Sequence, residues 1–98
     1  MLELEKNEIK DVWIEVTDRD GGTVTVSSQD FEVFDKDDTS VQASATANIS
    51  GNGTAEVKIY GLVDTTAAAF LAALSYYVRF TYVIGSETYI EDVWIVIT

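Results

Sequence analysis

Apolar and polar residues alternate along most of the chain, which is the signature of half-buried β-strands. In Asp11–Thr17, Val12, Ile14 and Val16 fall on one side and Trp13, Glu15 and Thr17 on the other. The run Asp18-Arg19-Asp20-Gly21-Gly22 ends that strand, since Asp and Gly accept left-handed backbone at little cost. Thr23–Val26 is β-branched throughout and predicts the next strand. Phe31–Phe34 predicts a short one that stops at the acidic turn Asp35-Lys36-Asp37-Asp38. Between residues 41 and 50, Val41, Ala43, Ala45, Ala47 and Ile49 alternate with polar residues, giving an inward side made mostly of alanine. Gly51-Asn52-Gly53 supplies the positive φ of a hairpin turn into Thr54–Tyr60, with Ala55, Val57 and Ile59 inward. Residues 65–74 break the pattern: they are alanine-rich, with Phe70 and Leu74 four apart, and predict one or two helical turns. Alternation returns over 75–84, with Tyr76, Val78, Phe80, Tyr82 and Ile84 inward. Residues 87–98 form the last strand, with a bulge expected near Glu91-Asp92 where the in/out phase slips.

Seven or eight short strands separated by turns predict an all-β protein, an immunoglobulin-like β-sandwich, with at most one short helix near 65–74. A single domain spans residues 1–98. Asp11–Thr17 and Asp92–Thr98 agree at five of seven positions. Such an echo suggests two strands in similar environments, neighbours in one sheet, and suits a sandwich whose first and last strands pair in parallel.

Composition narrows the chemistry. With 47% hydrophobic residues the chain can bury a core, and 17 acids against 6 bases leave a net charge of −11. That charge repels phosphates and anionic lipid, so neither nucleic acid nor a membrane surface is an expected partner. The chain has no cysteine, histidine or proline. Disulfides, thiolate chemistry, most transition-metal sites and His-activated nucleophiles are thereby excluded; no catalytic residues and no cofactor are expected. No apolar run approaches the ~18 residues of a membrane span. The acidic start Met1-Leu2-Glu3-Leu4-Glu5 is unlike a signal peptide.

Two groups of residues remain as candidate sites. Asp18 and Asp20, with Asp35, Asp37 and Asp38, could offer carboxylates to calcium, with Asp30 and Asp64 as further ligands. Asp and Gly are equally good turn formers, and Gln29 stands where a loop starting at Asp18 would need its closing Glu. Trp13, Trp94, Tyr60 and Tyr77 fall opposite the apolar face of their strands, where large rings favour interfaces. The competing reading is that both sheet faces are covered and these rings are core. The sequons at Asn48 and Asn52 each have a plain strand or turn explanation.

Three stretches carry a family resemblance. They are Asp18–Gly21 at a strand end, Gly53–Val57 opening another, and Tyr76–Tyr82 leading through Gly85 to Tyr89. Together they resemble the small immunoglobulin-like domains of tailed-phage and prophage virion proteins, such as tail, baseplate and head-decoration modules. The resemblance implies a non-enzymatic assembly role, in the virion or in the host cytoplasm during assembly. Its implied partners are copies of the chain, as a homo-oligomer, or other structural proteins. The same features also resemble immunoglobulin-like binding or adhesion modules of bacterial surface proteins. A small calcium-dependent domain is the third function considered.

Overall fold

The computed structural model describes residues 1–98 as eight strands and no helix. In chain order these are β1 (Leu2–Leu4), β2 (Ile9–Val16), β3 (Val26–Asp35), β4 (Ser40–Thr46), β5 (Asn48–Ser50), β6 (Val57–Asp64), β7 (Ser75–Ile84) and β8 (Glu87–Ile97). They form a five-stranded sheet in the order β1-β8-β7-β3-β4 and a three-stranded sheet in the order β2-β6-β5. All pairings are antiparallel except β1 with β8, which is parallel. The central β3, β7 and β8 occupy the C, F and G positions of an immunoglobulin sandwich, and β2, β6 and β5 the B, E and D positions.

Alternation explains the core. Val12 and Ile14 of β2 and Val57, Ile59 and Val63 of β6 point inward from the small sheet. Val33, Val78, Phe80, Ile95 and Ile97 meet them from the large one. Burying each such side chain contributes about 1.5–3 kcal/mol. Gly61 belongs on this inner face because a side chain there has no room: a Cβ would lie 2.7 Å from the Phe31 ring.

Asn52, Thr65 and Tyr76 show how loops are fixed to the sheets. Asn52 receives a hydrogen bond from Val26 N–H at 2.8 Å and donates one to Val26 C=O at 2.9 Å, tying its turn to β3. Thr65, fully buried, donates to the Glu5 carbonyl and accepts from Glu8 N–H, joining the β1–β2 turn to the end of β6. The Tyr76 hydroxyl donates to Ala69 C=O at 2.9 Å and accepts from Leu71 N–H at 2.8 Å. A tyrosine at the start of the F strand bonding back to the preceding loop is a hallmark of immunoglobulin-like sandwiches.

Several local expectations are corrected. Residues 65–74 contain turns, closed by Phe70 N–H to Ala67 C=O and Leu74 N–H to Leu71 C=O, because Tyr76 takes over their backbone groups. The expected strand 23–26 does not form as such: only Val26 belongs to β3, which runs on through Phe31–Phe34 with a register shift between Val26 and Ser28, while Val24 makes an isolated bridge to Thr54. The alanine face does not form. Ala43 and Ala45 are exposed, since β4 is an edge strand whose pairing with β3 is interrupted twice by extra residues. The chain changes sheet at the buried Ala47, so the hairpin with β6 is limited to Asn48, Ile49 and Ser50. No bulge interrupts β8: it pairs with β7 without a shift from Glu87 to Val96. Tyr89 keeps the inward phase of Ile95 and Ile97 but is exposed near the sandwich end, stacked on Tyr82 at 5.5 Å.

Candidate docking faces

Trp13 and Trp94 lie on opposite sheets. The echoed segments are therefore not neighbours; the strand that pairs in parallel with the last one is β1, through Leu2–Leu4 and Ile95–Ile97. Their likeness has another cause. Each presents a Val-Ile-aliphatic row to the shared core and a tryptophan to the outside, from opposite sides of the sandwich. No contiguous strip of both tryptophans exists.

On the large sheet, Phe34, Tyr77 and Trp94 form a row across β3, β7 and β8. Ring centroids are 5.1 Å apart for Phe34–Tyr77 and 5.0 Å for Tyr77–Trp94. Arg79 lies over Phe34 and Tyr77 and makes a two-pronged pair with Asp92 at 2.9 and 3.0 Å. That pairing raises the Arg79 pKa further. Tyr77 is only 4% exposed, and its hydroxyl donates to Asp38 at 2.7 Å. This hydrogen bond, then burial, pushes the phenol above its ordinary pKa. The row is largely satisfied by its own neighbours, and only Trp94 offers substantial ring surface, at 44% exposure.

The small sheet is barer. Trp13 pairs with Tyr60 across β2 and β6, and Leu62 and Ile9 continue the same outer face. Trp13, Leu62 and Ile9 are 46%, 50% and 60% exposed. Lys58 places its ammonium 4.5 Å from the Trp13 ring and 5.4 Å from Tyr60. Asp11 and Glu15 sit on this face as well, opposite Leu62 and Lys58. A flat apolar face rimmed by charge is suited to contact with another chain.

The acidic turns serve themselves. The Asp18 carboxylate accepts from Asp20 N–H, and Asp35 from Asp37 and Thr39 N–H, as turn-forming aspartates do. Asp38 is taken by Tyr77 and Asp64 by Thr66, which lowers the Asp64 pKa. Asp30 lies in β3, paired with Thr81 and Thr46. No three potential metal-ligating side chains converge anywhere in the molecule. No helix is long and apolar enough to cross a membrane. Sequence reasoning singled out Trp13 and Tyr60 but missed Leu62 and Ile9, whose outward phase appears only when the β2–β6 register is known. Comparison with family models, curated proteins and solved structures finds no match.

Proposed function

We propose that the chain is a non-enzymatic structural protein, a component of a phage or prophage virion that works by docking onto neighbouring subunits. The observation that carries this reading is the outer face of the three-stranded sheet, where Ile9, Trp13 and Leu62 stay open to solvent around Tyr60. Surface apolar area of that kind, concentrated on a chain of charge −11, marks a contact surface rather than a solubility feature. The virion part of the reading comes from the family resemblance of Asp18–Gly21, Gly53–Val57 and Tyr76–Tyr89, and a β-sandwich is the fold that such a module would have. The test is co-sedimentation with the products of the genes flanking its own. Pelleting of wild type with capsid or tail particles, reduced in Trp13→Ala, is the expected result. Flanking genes with no part in particle assembly would overturn the virion reading.

A further inference from the structure

We infer that the outer face of the three-stranded sheet receives an extended basic segment of another protein, with an arginine or lysine seated against the Trp13–Tyr60 pair. This rests on the docking reading above and adds the partner's chemistry. The ring pair already holds a cation: Lys58 lies over Trp13 at 4.5 Å and Tyr60 at 5.4 Å. It does so although Glu15 is directly across the strand pair, and the molecule's single ion pair is Arg79–Asp92. Asp11 and Glu15 therefore remain on this face with their charges unpaired, beside rings that attract cations. Leu62, opposite Asp11, and Ile9, beyond it on β2, supply apolar surface beside the charges.

Size and charge select the occupant. Eight residues of strand across three strands give a face of roughly 400 Å² at most. A globular partner commonly covers about 800 Å² on each side, so the face suits a single extended segment. A second copy is disfavoured, because joining two such faces gathers the Asp11 and Glu15 carboxylates of both copies around only one lysine from each, Lys58. A segment alternating basic and apolar residues answers both the carboxylates and the aliphatic surface.

The probe is a fluorescein-labelled heptapeptide alternating arginine and leucine, followed by anisotropy, with heptalysine as the comparison. Saturable binding of the alternating peptide to wild type is expected. Trp13→Ala should weaken it about tenfold, by loss of ring contact and cation attraction. The double variant Asp11→Asn/Glu15→Gln should weaken it by a similar factor, whereas Trp94→Ala on the other sheet leaves it unchanged. Lys58→Met should tighten binding, since the rings no longer hold an internal ammonium. Circular dichroism melting of each variant confirms that it is folded. Equal loss in Trp13→Ala and Trp94→Ala, or heptalysine binding as tightly, overturns the inference. Co-sedimentation with particles but no peptide binding by wild type overturns the inference and leaves the docking reading standing. Peptide binding at this face with unrelated flanking genes does the reverse for the virion reading.

Discussion

At the scale of single residues, tyrosine hydroxyls hold positions that the hydrophobic pattern does not reveal. Tyr76 is buried, and its hydroxyl is the partner of Ala69 C=O and Leu71 N–H. Tyr76→Phe keeps the ring but strands both backbone groups, so urea unfolding should show a loss of about 1–3 kcal/mol. Three other phenols connect the fold to alkaline pH. Tyr77 is raised by its bond to Asp38, Tyr82 by burial and the nearby Glu91, and Tyr89 by its bond to Glu87. A phenol whose pKa is higher in the folded state contributes stability that is fully present below the unfolded value of 10.0. That stability is lost as pH rises from there through the folded pKa. Melting temperatures should therefore fall above pH 10, and Tyr77→Phe should soften the fall relative to wild type.

At the scale of elements, Gln42 stands in for a missing strand. β5 is short, so Leu62 and Asp64 of β6 lack a neighbour on that side; the Gln42 amide donates to Leu62 C=O at 2.9 Å and accepts from Asp64 N–H at 3.0 Å. Gln42→Ala should cost about 1 kcal/mol in denaturant unfolding, modest because water can reach the freed groups. This arrangement also shows where the sequence was legible. β2, β6 and β7 follow a clean alternation with a continuous partner, and Val12, Ile14, Val57, Ile59, Val78 and Phe80 are buried as the pattern predicts. β4 is not legible in this way, because alternation says nothing of how many residues face each partner or of which strand lies at an edge: β4 carries two extra residues against β3, and Ala43 and Ala45 lie exposed at the edge of the sheet. β8 departs from its expected bulge for a different reason. Its phase is unbroken, but Tyr89 and Glu91 run beyond the cover of the smaller sheet. The docking faces were legible as outward aromatics, while the sheet to which each belongs depended on which edge strand closes the fold. The echo of β2 in β8 reports a shared core environment, which neighbouring strands and facing strands satisfy equally well.

At the scale of the whole molecule, a charge of −11 opposes both compaction and self-contact. Thermal stability should rise between low salt and about 0.5 M sodium chloride as repulsion is screened. Sedimentation at low salt should give a monomer, for the same reason. Closure of the large sheet has a consequence in time. Leu2 pairs with Ile95 and Leu4 with Ile97, and Thr98 N–H donates to Leu4 C=O, so β1 finds its partner only once β8 has been made. Until then β7 has one bare edge and the fully buried Leu4 has no lid. During synthesis the sandwich stays unsealed until β8 emerges, and its acidic charge helps to keep those open edges from meeting one another.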